Sequence, residues 1–383
     1  MGETMHNRRD ALAMLGLAIG QAACAARAGA ESGAPAHWPP YRQTTAIDGA
    51  GGLALGFMAP DDPLVPAELA AARASGLSAI VLTLAPQGQF WMDDAALART
   101  RANIDTWNAI VERHPDYLLA VRSTGDLRRA RAENKLGVIY TFQGAEPLGE
   151  DVERVAMYRD LGVRVIQLTH NRRNLVGDGC GEPGNAGLSN FGRQVVARLN
   201  ADRIVVDLAH GAARTIREAI AASQAPVLIS HTGCRALADH PRNVDDATLR
   251  AMAERGGVAG IIFWPYLRED AQPMAIDVIR HIEHAVNVCG EDHVGIGTDA
   301  GIAAVERTAA FEAENREWVA DAVAQGVFQR GRPADLYTFI PDLNTPDRFD
   351  RLGAMLSRRG HSDARIAKIL GGNFAHVMSE VWG

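Results

Sequence analysis

Two apolar runs that each lead into a histidine constrain the fold of this 383-residue chain more than any other feature. Ile204–Leu208 is followed by His210, and Pro226–Ile229 is followed by His231. The segment between them, Ala212–Ser223, has helical periodicity, so the whole stretch is predicted to form strand, helix, strand. The strands of such a unit are parallel and end at the same edge of one sheet. We therefore expect the two imidazoles to lie side by side, as half of a metal site.

Strand candidates alternate with helical patterns along most of the chain. The eight strand candidates are Thr45–Ile47, Ala79–Leu84, Gly137–Phe142, Val163–Thr169, Arg203–Leu208, Pro226–Ser230, Val258–Trp264 and His293–Gly297. Eight strands separated by helices are typical of a closed (β/α)8 TIM barrel, with a doubly wound sheet and a separate domain as the alternative. From about Asp347 the pattern is helical again. We predict a single α/β barrel domain over residues 45–383 with C-terminal helices.

The amino terminus has the features of an export signal. Arg8 and Arg9 precede an apolar run, and Ala26-Arg27-Ala28 has the Ala-x-Ala pattern of a cleavage site. We expect residues 1–28 to be a bacterial twin-arginine signal and residues 29–44 to be a linker. The mature protein would then be periplasmic or extracellular, without a membrane span. The alternative is that residues 1–28 form an amphipathic start to the domain.

The charge balance bears on the partners of the protein. The chain is 47% hydrophobic and carries a formal net charge of −7. An acidic chain of ordinary globular composition gives no reason to expect binding to nucleic acid. We therefore expect no nucleic-acid partner.

The barrel prediction also predicts where functional side chains lie, because the active sites of such barrels form at the carboxyl ends of the strands. Residues of metal-ligand or acid-base type end five of the strands: Gln143, His170, His210, His231 and Asp299. Asp299 ends the run Gly-Ile-Gly-Thr-Asp, whose glycines allow a close approach to a shared centre. For His170, capping of the following loop is the alternative to a functional role. Trp264, after the seventh strand, either lines the pocket or packs in the core.

Several motifs, in order, resemble the membrane (renal) dipeptidase family of zinc peptidases. They are LTHNRRN from Leu168, VVDLAH ending at His210, ISHTGCRAL around His231, HPRNV around Arg242, GIGTD ending at Asp299, and GGNFAHVMSEVW near the end of the chain. The resemblance covers most of the mature chain. It implies a (β/α)8 barrel that hydrolyses dipeptides with two zinc ions, and a homodimer.

The resemblance also implies roles for the residues that match. His210 and His231 match the two histidines that hold one zinc ion, and His170 matches the histidine that polarises the scissile carbonyl. Arg242 matches the arginine that binds the substrate carboxylate, a role suited to a guanidinium group. Asp299 matches the aspartate that contacts the other zinc ion and moves a proton between water and the leaving amine.

The chain departs from the family pattern at that other zinc ion. Where the family has Asp-Gly-His-x-Asp, this chain has Asp-Gly-Ala-Gly-Gly, with Ala50 and Gly52 at the ligand positions. The bridging Glu-Gly of the family is here Gln143-Gly144, and a neutral amide is a weak zinc ligand. We expect one zinc ion at His210, His231 and Asp299, with weak help from Gln143. Two ions are the alternative, with Glu146 as a replacement for the lost charge.

These observations predict a zinc metallohydrolase that cleaves a dipeptide or a related small amide. Two alternatives remain: a single-metal hydrolase of an ester, lactone or acyl-amino acid, and a metal-free protein that binds a carboxylate ligand. The stretch Gly301–Thr345 is expected either to overhang the mouth as a lid or to form an outer helix, Val305–Val323, with a surface loop.

Overall fold

The computed structural model describes residues 37–85, 95–324, 327–328, 332–333 and 335–383. The predicted export signal and the first part of the predicted linker lie outside these residues. Among the described helices, none is both long enough and apolar enough to cross a membrane.

A parallel sheet of eight strands curls into a barrel. Around the barrel the strands are β1 (Ile47–Asp48), β2 (Ala79–Ala85), β3 (Leu136–Phe142), β4 (Val163–Gln167), β5 (Val205–Asp207), β6 (Leu228–Thr232), β7 (Val258–Ile261) and β8 (Val294–Ile296). The Gly49 N–H donates to the carbonyl of Ile296 at 2.9 Å and so joins the last strand to the first. The predicted (β/α)8 barrel is confirmed, and each predicted strand corresponds to one of these eight.

Three shorter strands accompany the barrel. Leu118–Ala120 pairs in parallel with β3. Gly51–Gly52 pairs in parallel with Ala300–Gly301, so the segments that follow β1 and β8 stay together beyond the barrel. The sequence patterns did not predict these strands, because two or three residues are too few to show a periodicity.

Helices surround the barrel and follow it at the carboxyl terminus. They are α1 (Val65–Ser75), α2 (Ala96–Arg113), α3 (Thr124–Ala132), α4 (Arg154–Asp160), α5 (Asn190–Ala201), α6 (Ala213–Ala222), α7 (Asp246–Ala253), α8 (Ala275–Cys289), α9 (Ala309–Ala324), α10 (Arg348–Arg358), α11 (Asp363–Ala367) and α12 (Asn373–Trp382). Ser123, Ser189 and Asp245 begin α3, α5 and α7 by accepting a backbone N–H three residues on. Because helices cover the outside and a core fills the inside, the strands are continuous apolar runs.

Helix α12 closes the amino end of the barrel. Phe374 is fully buried and packs with inward-facing residues from the first halves of the strands, among them Ile47, Ala79, Val205, Leu228 and Val258. A Cβ on Gly49 or Gly295 would lie 2.6 or 2.7 Å from the Phe374 ring. Glycine at these two positions therefore makes room for the phenyl ring inside the barrel.

The packed structure begins earlier than the sequence indicated. Trp38 is 2% exposed, and its indole and backbone N–H groups donate to Asp363 (2.8 Å) and Asp350 (2.6 Å). Tyr41 is also buried, and its hydroxyl donates to a carbonyl at the end of α1 (2.8 Å). Residues 38–43, which we assigned to a linker, are therefore part of the domain.

Replacing Phe374 with alanine should lower the free energy of unfolding by about 3–5 kcal/mol, the usual cost of removing a buried phenyl ring from a packed core. Denaturant unfolding measures this loss, and His376→Ala, exposed on the same helix, is the matched control. A loss below about 1 kcal/mol for F374A would contradict the role of α12 in closing the barrel.

Candidate functional site

The carboxyl edge of the barrel gathers the side chains that the sequence predicted for the site. His170 follows β4, His210 follows β5, His231 lies in β6 and Asp299 follows β8. The Nε2 atoms of His210 and His231 are 2.9 Å apart. Together with the Asp299 carboxylate they form a group whose ligand atoms all lie within 4.8 Å of one another. The structure thus brings together three of the four residues for which metal ligation was predicted, and the fourth, Gln143, lies against Asp299.

His231 is oriented by a chain of two side chains. The hydroxyl of Ser230 donates to Asp207 Oδ2 at 2.5 Å, so its oxygen accepts from His231 Nδ1 at 2.8 Å. Asp207 Oδ1 is held in turn by the backbone N–H groups of Ser230 (2.9 Å) and Ala209 (3.1 Å). Because this chain places the proton on Nδ1, His231 presents the lone pair of Nε2 to the site.

His210 is oriented in the same sense by a different residue. The side-chain oxygen of Asn171 lies 2.7 Å from His210 Nδ1 and also accepts from the thiol of Cys180 at 3.2 Å. An amide oxygen only accepts hydrogen bonds, so Nδ1 of His210 carries the proton. His210 therefore also presents the lone pair of Nε2 to the site.

Two lone pairs consequently face each other across 2.9 Å, which is repulsive unless a cation lies against both nitrogens. Burial, reinforced by the charge of Arg242, holds the pKa of His210 and of His231 well below the usual value, so a proton is disfavoured as that cation. Two imidazole nitrogens and a carboxylate are a ligand set that Zn²⁺ prefers. The residues present at this centre therefore fit a metal ion.

Asp299 is held in a strained backbone conformation. Its φ of +55° lies in the left-handed region, which costs a non-glycine residue about 1–2 kcal/mol. Its N–H donates to the carbonyl of Ala50 (2.7 Å), and its carbonyl accepts from the indole N–H of Trp264 (2.7 Å). The amide of Gln143 donates to Asp299 Oδ1 at 3.4 Å. The strain is thus maintained by contacts on both sides of the residue.

The pKa of Asp299 is suited to a group that accepts and releases protons. Burial raises the pKa of Asp299 to about 6, against the opposing effect of the Arg242 charge. A carboxyl group with a pKa near the working pH can both accept and release a proton.

Arg242 places a positive charge beside the cluster. Its side chain is buried, and one terminal N–H donates to the carbonyl of His231 at 3.1 Å. Its guanidinium carbon lies 5.7 Å from the centre of the Tyr266 ring. Its Nε has no hydrogen-bond partner among the described residues. A buried guanidinium whose donors are not all used is suited to binding an anion such as a carboxylate.

His170 is the third histidine of the centre. Its ring stacks on that of His210, with the ring centres 3.9 Å apart. Burial, reinforced by Arg242, lowers the pKa of His170 to about 3, so the imidazole is neutral at physiological pH. A neutral imidazole still donates one N–H hydrogen bond, and it does so without adding charge to the site.

Ala50 and Gly52, which stand where the family resemblance implied two metal ligands, make other contacts. The carbonyl of Ala50 accepts the N–H of Asp299, and Gly52 pairs with Gly301. Asp48, which begins this motif, accepts the backbone N–H of Thr298 at 2.8 Å and its hydroxyl at 2.6 Å. Asp48 therefore fastens β1 to the end of β8.

Glu146 does not join the metal-ligand group. Its carboxylate folds back so closely on Gly144 that a Cβ there would overlap it, and the amide of Asn174 donates to Oε1 at 3.3 Å. Burial raises the pKa of Glu146 to about 7. The group that the described residues form contains His210, His231 and Asp299 but not Glu146.

Sequence reasoning missed the residues that orient the two histidines: Asn171, Asp207 and Ser230. Asp207 and Ser230 are polar residues inside otherwise apolar runs, VVDLAH and VLISHT. A buried polar residue needs a hydrogen-bond partner, so each was a sign of a contact between strand ends. Asn171 carried no such sign, because it stands at the start of a polar loop.

Comparison with known proteins agrees with this geometry. A parallel barrel that gathers histidines and a carboxylate at its carboxyl edge defines the chain as a barrel of the metal-dependent hydrolase type. Residues 45–311, more than half of the chain, match the model of the membrane dipeptidases, peptidase family M19. The chain belongs to the membrane dipeptidase family.

Two fungal dipeptidases illustrate the similarity in sequence. Dipeptidase verJ of Clonostachys rogersoniana is 28% identical over 288 residues, which is 75% of this chain and 66% of that protein. Dipeptidase aclJ of Aspergillus oryzae is 32% identical over 207 residues, which is 52% of this chain and 49% of that protein. The matches span about half to two thirds of the length of these curated relatives.

Solved structures show the same fold. An amidohydrolase from Pseudomonas aeruginosa has a TM-score of 0.74 and 30% identity, over 90% of this chain and 98% of that chain. A metallopeptidase from Rhodobacter sphaeroides, liganded with a phosphinate mimic of the dipeptide L-Ala-D-Ala, has a TM-score of 0.71 and 20% identity. That match covers 88% of this chain and 99% of the other.

Replacing Ser230 with alanine should raise the zinc dissociation constant about 10- to 100-fold, because His231 loses the partner that fixes its tautomer. Competition with a chromogenic chelator measures this constant. Ser223→Ala is the matched control. Ser223 is also buried, and its hydroxyl donates a hydrogen bond to the carbonyl of Ala225. An unchanged constant in S230A would show that the Asp207–Ser230 chain does not orient the ligand.

Proposed function

We propose that the chain is a zinc-dependent hydrolase of the dipeptidase type that cleaves a dipeptide or a related small amide with a single metal ion. The observation that carries the proposal is the convergence of two imidazole lone pairs, on His210 and His231, with the carboxylate of Asp299. Arg242 lies beside them with a buried positive charge. Membership of the membrane dipeptidase family supports amide hydrolysis as the reaction.

The metal would be held by His210, His231 and Asp299. When bound, zinc supplies a water that is nucleophilic near neutral pH and polarises a carbonyl group. Ala50 and Gly52 bring no side-chain donor, and the amide of Gln143 donates to Asp299. These residues therefore support one ion rather than the pair that the family resemblance implied.

Substrate binding falls to Arg242. Its guanidinium is removed from water, so its attraction to a carboxylate is screened less than at the surface. A dipeptide held by its carboxylate on Arg242 would have its amide bond near the histidine cluster, because Arg242 donates to the carbonyl of His231. Binding at this point orients the substrate and lowers the entropic cost of reaction.

Two further side chains act on charge and protons. The neutral imidazole of His170 would donate its N–H to the oxygen of the scissile carbonyl as negative charge develops there. Asp299 would take the proton of the attacking water on a carboxylate oxygen and pass it to the nitrogen of the leaving amine.

The purified protein should contain about one zinc ion per chain by elemental analysis, as expected for one donor set. His210→Ala should remove the zinc, whereas His376→Ala, exposed on α12, should retain it. Protein that was never exposed to a chelator and yet contains no zinc would contradict the proposal. About two ions per chain would contradict the single-ion part of it.

Replacing Arg242 with methionine should lower kcat/KM for L-Ala-L-Ala about 30-fold or more, the cost of removing one partner of a buried charge pair. The matched control is a substrate rather than a variant. L-Ala-L-alaninamide lacks the carboxylate, so its kcat/KM should differ between the two enzymes by less than about threefold. Equal losses with both substrates would show that Arg242 does not bind the carboxylate.

A further inference from the structure

Trp264 reaches the backbone of Asp299. Trp264 follows β7 and Asp299 follows β8, so the two residues stand at neighbouring strand ends. The indole N–H of Trp264 donates to the carbonyl oxygen of Asp299 at 2.7 Å. The contact is therefore directed at the main chain, and it fixes the peptide group on the carboxyl side of Asp299.

Asp299 depends on such a contact because its backbone is in the left-handed region, with φ of +55°. A residue with a Cβ returns to a more relaxed conformation unless its flanking peptide groups are held. Ala50 holds the amino side through its carbonyl, at 2.7 Å from the Asp299 nitrogen. Trp264 holds the other side. A change in either peptide group would rotate the carboxylate away from His210 and His231.

Trp264 is itself packed by the stretch that the sequence left open as a lid or an outer helix. Trp318, on α9, meets the indole edge to face with ring centres 6.0 Å apart. The centre of the Phe328 ring lies 6.5 Å from the centre of the Trp264 ring and 5.7 Å from that of Trp318. The ring of Tyr266 stacks on Trp264, with ring centres 5.7 Å apart. Three aromatic rings thus pack against the indole whose N–H is directed at Asp299.

We propose that Trp264 is a positioning residue that holds Asp299 in the orientation needed for metal binding and proton transfer, and that α9 sets the position of Trp264. The inference rests on the proposed role of Asp299 in the hydrolase. The segment after β8 then has a role in the active site, because the packing of Trp318 and Phe328 determines the orientation of the Asp299 carboxylate.

The substitution that tests the hydrogen bond is Trp264→Phe, which keeps an aromatic ring and removes the N–H. The zinc dissociation constant should rise about tenfold or more, as is usual when a partner of a metal ligand is lost. With L-Ala-L-Ala, kcat should fall about tenfold or more while KM changes less than about twofold, because Asp299 acts on the proton and not on the carboxylate.

Trp318→Phe is the matched control. It makes the same exchange of rings in the same aromatic cluster, but no hydrogen bond from Trp318 to Asp299 is present. Its zinc dissociation constant and kcat should stay within about threefold of the wild-type values. Equal effects of W264F and W318F would mean that Trp264 acts by packing alone, and this would overturn the proposal.

The contribution of α9 is tested by Trp318→Ala, alone and with W264F. W318A should shift the zinc dissociation constant in the same direction as W264F, because the indole loses its support. The zinc dissociation constant of the double variant should be no higher than that of W264F, because both changes act through one hydrogen bond. Additive effects, or no effect of W318A alone, would overturn the coupling to α9.

Crystal structures of the wild type and W264F separate this inference from the proposed function. Asp299 should leave the left-handed region in W264F, whether or not a metal is bound. An unchanged Asp299 backbone in W264F would overturn the inference even if the wild type binds zinc. A wild type without zinc would instead contradict the proposed function, and the position of Asp299 in W264F would still decide the inference.

Discussion

Two imidazole lone pairs directed at each other across 2.9 Å are the constraint on which the rest of this site depends. Asn171 and Ser230 place the ring protons of His210 and His231 on the Nδ1 atoms, and burial, together with the charge of Arg242, holds the pKa of both rings well below the usual value. The barrel thus holds two acceptors in contact that would separate in a flexible chain. A metal ion bound between them would relieve that repulsion, and the rigid barrel would then contribute to its affinity.

Carboxylates that join strand ends make this arrangement rigid. Asp207 holds Ser230 between β5 and β6, and Asp48 holds Thr298 between β1 and β8. Asp48 accepts three hydrogen bonds, from the N–H of Ala50 and from the N–H and hydroxyl of Thr298. This structural role accounts for an aspartate at the end of β1 without any contact to a metal ion.

The sequence predicted the barrel well because parallel strands covered on both faces are uninterrupted apolar runs, and because polar residues at their ends share one edge. His210 and His231 followed from that rule alone. The role of Arg242 came from the family resemblance, since nothing in its local pattern distinguishes it from a surface arginine. The contacts of Asn171 and Trp264 were not predictable, because they join residues that are far apart in the chain. The burial of Trp38 was also missed, because it stands between His37 and two prolines in a stretch without periodicity.

The measurement that tests the central claim most directly is anomalous diffraction at the zinc edge from crystals of the zinc-loaded protein. The account predicts one anomalous peak at about 2.0–2.2 Å from the Nε2 atoms of His210 and His231 and from a carboxylate oxygen of Asp299. Two peaks about 3.5–4 Å apart would show a paired site built from donors other than those identified. A single peak away from both histidines, or none, would contradict the assignment of this centre.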